Sequence, residues 1–476
     1  MENTKKKTIA IAICAVAVIA VAVAVWLSGK KTHQYTDAIP DDSKAVAVLR
    51  PAAAVKQLGI EELMDEALRN SWLKESGLDL TSDIYGFVAG NNTAGVVMKI
   101  KDAAALEKTL AGKGMETSTK RGLHWAEADK WICCYDDERL LAALTGDKGD
   151  EDRLCGNMYK LMNKDTRPAA LLASLDNSAP LAVISSGSVL QNMIRTIAGD
   201  FPAAVDLSKV LLSTKVEIHD KTITLDTDIS TADKKIKETL EGLHSFMLPI
   251  NKVSDLFLPP SPTFWMAINV DGKKLASALA ENEEAKTGLQ MAQAFIDTKG
   301  MMESVDGRMS FSLDNATANG ADYLFAAKVD DDSFARTGDA ASDLAALALQ
   351  ATKKSPTEYS LQAAGVPLSF GVRDKLLYVT NNDALVGTMK ERTLHKEVMD
   401  KEAEIGKYRL YASLDVKKAM KAAAPSLLMI GADLSVYAAL DKMERLDIMS
   451  DLDTQLRLNL TLDTPVKDVA KDLMKK

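Results

Sequence analysis

The stretch Leu211-Leu212-Ser213-Thr214-Lys215-Val216-Glu217-Ile218-His219, followed after Asp220 by Lys221-Thr222-Ile223-Thr224-Leu225-Asp226-Thr227-Asp228, decides the fold. Two extended, strand-like runs meet at a tight Asp220-Lys221 corner, the pattern of an antiparallel hairpin. A Lys-rich, helix-like segment follows at 231–243. Strands that return beside one another and then give way to a helix predict an α+β architecture rather than a doubly wound nucleotide fold.

Working outward, strand candidates at 44–49, 84–89, 95–101, 123–127, 131–135 and 169–175 precede the hairpin. Helix candidates lie between them at 51–69, 103–112, 137–144 and 181–198. At the C-terminus, Val466, Val469, Ala470 and Leu473 form one apolar stripe, and a one-faced helix needs a sheet to lie on.

The second half restates the first. Ala173-Ser174-Leu175-Asp176 recurs as Ala412-Ser413-Leu414-Asp415, and Thr224-Leu225-Asp226-Thr227 as Thr461-Leu462-Asp463-Thr464. Ala45-Val46-Ala47-Val48-Leu49 resembles Phe264-Trp265-Met266-Ala267-Ile268, and Lys99-Ile100-Lys101-Asp102 matches Lys328-Val329-Asp330-Asp331. Residues 131–135 likewise match 376–380. Five weak matches in preserved order predict a duplication: two tandem related α+β domains, with largely antiparallel or mixed sheets and helices packed on one face. The first repeat spans 44–248 and the second 264–476. Pro249, Pro259, Pro260 and Pro262 interrupt any helix or central strand in the junction at 249–263.

The N-terminus supplies an address. From Ile9 to Leu27 the chain is Ala, Val and Ile with Cys14 and Trp26, free of charge, Pro and Gly, between Lys5-Lys6-Lys7 and Lys30-Lys31. As a helix the run covers about 28 Å, close to the roughly 30 Å of a bilayer core. A lone strand in lipid would leave its backbone unpaired, so a transmembrane helix is expected. The expected order is a cytoplasmic tail at 1–8, a signal-anchor at 9–27 and a linker at 28–43. That places the chain from about residue 32 onward in the periplasm, behind a single-pass inner-membrane anchor. Two alternatives stand beside it. Ala20-Val21-Ala22 or Ala22-Val23-Ala24 would serve as a cleavage site, leaving a secreted or surface-exposed protein, and the three-against-two lysine bias would also fit the opposite orientation. Ile13 is too bulky before Cys14 for a lipoprotein signal.

Composition fits a folded exterior. Hydrophobic residues make up 47% and charged residues 26%, which is ordinary globular material, and 476 residues exceed one comfortable core. The net charge is −9, and more negative still once the lysines flanking the apolar run are set aside. That balance argues against nucleic acid or anionic lipid as the main partner. Cys133, Cys134 and Cys155 form no disulfide framework. The first two would point to opposite faces of a strand and do not readily share one metal. A bridge from Cys155 to one of them stays open in an oxidising compartment, beside the preferred reading of buried free thiols.

The carboxylates retained between copies are the sharpest chemical candidates: Asp102 with Asp331, Asp176 with Asp415, and Asp226 with Asp463. Each follows an apolar run, where a capping role is expected over acid–base work. Asp136-Asp137-Glu138 aligns with Asn381-Asn382-Asp383, keeping helix-starting character while losing charge. His33, His124, His219, His244 and His395 show no metal-ligand spacing. Ser185-Ser186-Gly187-Ser188 lacks the nucleophile elbow and reads as a turn or helix start. Gly112-Lys113-Gly114 lacks the phosphate-loop ending, and Gly146-Asp147-Lys148-Gly149-Asp150-Glu151-Asp152 lacks regular calcium-ligand spacing. The Met-bearing stretches 193–199 and 427–431 read as core packing before partner surfaces. No catalytic, cofactor or metal residue is assigned.

The segment Ile39-Pro40-Asp41-Asp42-Ser43-Lys44-Ala45-Val46-Ala47-Val48, just after a membrane-targeting segment, resembles an uncharacterised family of Bacteroidales envelope proteins grouped as a domain of unknown function. The later Leu-Asp motifs and the internal duplication are similar too, and the likeness would cover about 38–476. The resemblance implies a surface or periplasmic protein and carries no catalytic residues over. The expectation is therefore a membrane-anchored envelope protein whose duplicated ectodomain binds or scaffolds without catalysis. Its partners would be the membrane, through 9–27, and an envelope protein or a glycan. The alternative is an envelope hydrolase using carboxylates in an inter-domain cleft.

Overall fold

A computed structural model of the protein describes residues 34–58, 75–90, 93–128, 131–144, 151–163, 170–175, 179–189, 206–252, 257–259, 261–281, 297–317, 320–335, 352–363, 366–387, 400–429, 441–452 and 454–469. The apolar run 9–27, His33, the loop 146–150, Asp176, the stretch 193–199 and His395 lie outside the described residues. Among those described, no helix is long and apolar enough to cross a membrane. The protein is mixed α+β, with extensive antiparallel sheet and packed helices, in two compact units: Met1–Asp233 with Thr464–Lys476, and Lys234–Asp463.

In the first unit the described strands are β1 (Ala45–Leu49), β2 (Ile84–Val88), β3 (Ala94–Lys99), β4 (Glu116–Lys120), β5 (Leu123–Ala128), β6 (Trp131–Tyr135), β7 (Arg139–Leu144), β8 (Leu181–Ser186), β9 (Val210–Ile218) and β10 (Thr222–Thr231). They lie in the order β10-β9-β8-β1-β2-β3-β7-β6-β5-β4, each neighbour antiparallel to the next. The expected hairpin is β9 with β10, Ile223 facing Ile218 and Thr231 facing Val210. Central β1 is paired on both sides and covered on both faces: Val46 and Val48 are fully buried in one core and Leu49 is buried in the other. At one edge, β4 reads Glu-Thr-Ser-Thr-Lys and is largely exposed, a composition that discourages pairing with another chain.

Helices cover both faces of this sheet, not the one face expected. Helix α1 (Pro51–Leu58) packs Ala54 with Leu49 and Ile84. Helix α2 (Ala103–Gly112) starts at Asp102, whose carboxylate accepts the Ala105 N–H at 3.0 Å, a cap that stabilises by about 1 kcal/mol. Its Leu106 and Leu110 meet Ala126, Cys133, Tyr135 and Leu140. Helix α3 (Glu151–Asn163) places Leu154, Met158 and Met162 against Trp125, Ile132, Cys134 and Leu141. Because successive strand side chains point to opposite faces, Cys133 and Cys134 enter different cores. The stretch read as a linker contributes to the second of these cores: Tyr35, Ala38 and Ile39 are buried there.

Three local expectations are corrected. Residues 137–144 form no helix: Arg139–Leu144 is β7, inserted between β3 and β6, and its apolar run is long because a central strand is covered on both faces. Residues 181–186 are β8 and helix begins only at Gly187, since the apolar run serves as a strand between β1 and β9. Conversely, within the strand expected at 169–175, the described residues 170–175 form no strand; Ala170–Ser174 is a 3-10 turn.

The second unit carries β11 (Met247–Leu248), β12 (Phe264–Asp271), β13 (Val305–Thr317), β14 (Gly320–Val329), β15 (Thr352–Ser355), β16 (Glu358–Ala363), β17 (Val366–Arg373), β18 (Leu376–Thr380), β19 (Leu410–Asp415), β20 (Met443–Ser450) and β21 (Gln455–Leu462). Their order is β21-β20-β19-β12-β13-β14-β18-β17-β16-β15, all antiparallel, with β11 on the far end of β12. Apart from β11, this is the strand order of the first unit, strand for strand. Trp265, Ala267, Tyr411 and Met449 pack with Ile250, Ile405 and Tyr408, and a second cluster gathers Leu324, Ala326, Leu376, Tyr378, Leu385 and Val386.

The strand order sorts the sequence matches. Residues 45–49 and 264–268 open equivalent strands β1 and β12, and each is flanked by its unit's equivalent neighbours. Lys99 and Lys328 lie at the ends of equivalent β3 and β14, and Thr224 and Thr461 on equivalent β10 and β21. Two matches fall on non-equivalent elements. Trp131–Tyr135 is β6, whereas Leu376–Thr380 is the counterpart of β7. The first Ala-Ser-Leu motif lies in and just after a 3-10 turn, whereas Ala412 to Asp415 ends β19, the counterpart of β8.

Candidate functional site

A cleft of about 250 Å³ opens in the first unit between the sheet and α3. Phe87 of β2 and Leu141 and Ala143 of β7 form its floor. Leu141 and Ala143 are two residues apart and so share one face of the strand. Leu154, Met158 and Leu161 form the wall, spaced as one stripe of α3. The rim is polar: Thr93, Asn157 and Lys160, with Asp41 and Asp42 on the turn that leads into β1.

That turn has a local cause. Ser43 donates through both its backbone N–H, at 3.2 Å, and its hydroxyl, at 2.6 Å, to the Pro40 carbonyl. The Lys44 N–H then bonds the Val88 carbonyl at 2.8 Å and starts the β1–β2 ladder. The Asp42 carboxylate lies against Gly90, where an added Cβ would fall 2.5 Å from Asp42 Oδ2. An apolar interior with two carboxylates and one ammonium at its mouth can hold the apolar part of a small amphiphile and leave its head at the rim.

The second unit holds two polar clusters. Asp447 is 1% exposed on β20; it accepts from Ser413 Oγ at 2.7 Å and pairs with Arg445 Nε at 3.2 Å and Lys401 Nζ at 3.4 Å. Burial, then the Asp447 charge, pushes the neighbouring Tyr411 phenol far up. Ser413 faces Trp265 on β12, the place that Ile184 occupies opposite Val46 in the first unit. Elsewhere, Glu358 accepts from Tyr378 Oη at 2.8 Å and from Arg373 Nε at 2.7 Å. Burial acts to raise the Glu358 carboxyl, but hydrogen bonds from Tyr378, Ser355 and Arg373 outweigh it and hold the group below its ordinary range. Beside it, Lys354 Nζ contacts Ser369 Oγ at 3.0 Å and Asp383 at 2.5 Å. Both serines bond to carboxylates or a cation, and no described histidine accompanies them as a base.

The carboxylates singled out in the sequence are engaged separately. Asp102 caps α2, Asp331 accepts the Ser333 N–H at 3.0 Å, and Asp415 accepts the Lys418 N–H at 2.9 Å. Asp226 lies across the strands from Lys215, 3.9 Å from its ammonium, and Asp463 pairs with Lys417 at 3.1 Å. Asp136 accepts the N–H groups of Glu138 and Arg139 at 2.9 Å, and Asn382 accepts that of Ala384 at 3.0 Å. Ser186 Oγ lies 3.0 Å from Ser188 Oγ, where β8 passes into helix. His124 stacks on Tyr135, His219 lies 3.8 Å from Glu217, and His244 Nε2 donates to the Asp451 carbonyl at 2.9 Å. Among the described residues, no three His, Cys, Asp or Glu side chains are grouped to hold a metal ion.

Sequence reasoning missed the cleft, whose walls come from four separated stretches. It also missed Asp447, although an Asp at an inward position between Arg445 and Met449 on one strand face was a readable signal.

A family model described as a domain of unknown function, DUF4836, matches residues 61–442. Among solved structures, crystal form IV of TP0453 is similar at 10% identity, covering 44% of this chain and 84% of its own, with a TM-score of 0.30. Crystal forms I and III match at 11% and 9% identity, covering 46% of this chain and 86% and 88% of theirs, also at TM-score 0.30. No curated protein matches the chain.

Proposed function

The chain belongs to the DUF4836 family, a domain of unknown function, and from that premise we propose a membrane-anchored, non-catalytic binding protein of the cell envelope. The cleft of the first unit carries the reading: its apolar floor and wall fit the apolar portion of a small amphiphilic envelope component better than a glycan. At about 250 Å³ it lies just under the roughly 300–1,000 Å³ of drug-sized ligand sites, which favours a small ligand or one chain of a larger one. The carboxylates that a hydrolase would need are occupied as caps and ion pairs, which supports binding over hydrolysis.

Within the same proposal the two units are tandem related copies. The shared strand order supports this, as do the sequence matches that fall on equivalent strands. The proposal also retains residues 9–27 as a single-pass anchor, with the remainder in the periplasm. The apolar run and its lysine flanks support that topology. The Bacteroidales affiliation rests on the stretch from Ile39 to Val48, part of which forms the mouth of the cleft.

The test is titration of the full chain in mild detergent with N-phenyl-1-naphthylamine, a neutral apolar fluorophore, followed by displacement with fatty amines. Saturable one-site binding is expected, and it is lost in Leu161→Trp, which fills the cleft from its partly exposed wall. Binding that persists unchanged in a folded Leu161→Trp protein, or no saturable binding at all, refutes the reading.

A further inference from the structure

We propose that Cys134 and Cys155 form a disulfide that fastens helix α3, the wall of the cleft, to strand β6 beneath it. Three observations carry this. The two residues belong to one apolar cluster as free thiols, Cys134 fully buried within it and Cys155 partly buried against it. Helix α3 packs directly on β6, its backbone coming within 8 Å. Cys155 lies on the core-facing side of α3, three residues before Met158 and seven before Met162, both buried in the same cluster. Cys133 is the wrong candidate, because it enters the opposite core beneath α2.

The floor of the cleft joins the same structure. Cys134 stands across the ladder from Leu141, and Cys155 is flanked on α3 by the lining residues Leu154 and Asn157. The bridge would therefore set the width of the cleft. It does not depend on what the cleft binds, so its failure would leave the binding proposal to its own test.

The oxidant required is a disulfide, either of an oxidoreductase in an oxidising compartment or of a small molecule. The partly exposed Cys155 loses its proton and its sulfur attacks the oxidant, breaking that S–S bond and releasing one thiolate. Cys134 then loses its proton and attacks the Cys155 sulfur, releasing the oxidant's second thiolate. Two protein thiols lose two electrons and the oxidant becomes a dithiol. Cys155 is partly exposed and Cys134 fully buried, so the oxidant reaches Cys155 first and the mixed disulfide forms there; burial, with the Asp136 charge and Cys155 adding to it, also pushes the Cys134 thiol up to about 12.

The experiment treats the full chain, with Cys14→Ser, with oxidised glutathione, followed by tryptic mapping without reduction. The expected product links the peptide that begins at Trp131 and ends at Arg139 to the peptide from Leu154 to Lys160, preceded by a glutathionylated Cys155 peptide. The link should survive Cys133→Ser and disappear in Cys155→Ser, whose position is partly exposed. Should Cys134→Ser fail to fold, the surviving link in Cys133→Ser makes the assignment by itself. The proposal is overturned if Cys133→Ser abolishes the link. It is equally overturned if all three thiols still alkylate in denaturant after full oxidation, or if only intermolecular links form.

Discussion

Ser413→Ala tests whether the buried Asp447 cluster is a structural device. The hydroxyl donates to a carboxylate 2.7 Å away, and the two residues are 5% and 1% exposed. A hydrogen bond to a charged group contributes about 1.5–3 kcal/mol, because the partner left behind keeps its desolvation cost. Arg445 and Lys401 still hold the other side of the carboxylate, which places the loss near the middle, at about 2 kcal/mol. For a unit the size of Lys234–Asp463 this is a fall of about 4–8 °C in melting temperature. Asp447→Asn keeps the shape but removes the charge that Arg445 and Lys401 share. Because those two partners are 21% and 35% exposed and regain water, its cost should be about 3 kcal/mol, at the low end for a broken buried pair. The double variant should be less unstable than the sum by about 1–2 kcal/mol, since Ser413→Ala removes the bond and Asp447→Asn removes the charge that strengthens it. Urea unfolding of the four proteins measures every arm of this cycle. A Ser413→Ala loss under about 0.5 kcal/mol, or a strictly additive cycle, would refute the structural reading and reopen a chemical role for the serine.

Two further outcomes follow. Glu358 has a carboxyl held below its ordinary value of 4.5, so its contribution is complete above that pH and is lost as pH falls through the lower folded value. Glu358→Gln should therefore be less stable than the parent at neutral pH, and the gap should begin to close as the pH falls below 4.5 and vanish below the lowered folded value; a constant gap throughout acid unfolding would contradict the assignment. Gly77 has φ +75°, and a Cβ there would collide with the Asp102 carbonyl, which accepts the Leu106 N–H as α2 begins. Gly77→Ala should cost about 2 kcal/mol or more in the first unit by thermal unfolding, and a change within 0.5 kcal/mol would show that the turn relaxes freely.

Legibility in the sequence followed how far each feature depends on near neighbours. The β9–β10 hairpin was readable because its partners are adjacent and its corner is short. Helix α2 was readable to the residue because Asp102 caps it locally. Strand β7 reads as a helix in sequence because the five apolar residues after Arg139 carry no period of two, and only its neighbours β3 and β6 make it a strand. The same ambiguity hid β8. It also misaligned the match of 131–135 with 376–380 by one strand, since β6 and β7 lie side by side with similar apolar content.

By itself the sequence determined the α+β character, the capping by Asp102, Asp331 and Asp415 (though not by Asp226, which lies within β10), and the opposite facing of Cys133 and Cys134. All three depend on strand alternation and on hydrogen bonds within a few residues. Tertiary structure decided the rest. The cleft exists because Asp41 and Asp42, Phe87, Leu141 and a stripe of α3 converge across more than a hundred residues of chain. The strand order decides which faces become core, and therefore that Cys134 shares an apolar core with Cys155 while Cys133 does not. It also decides that Asp447 is buried among a serine, an arginine and a lysine. Burial and proximity are properties of elements packed together, and no local pattern along the chain encodes them.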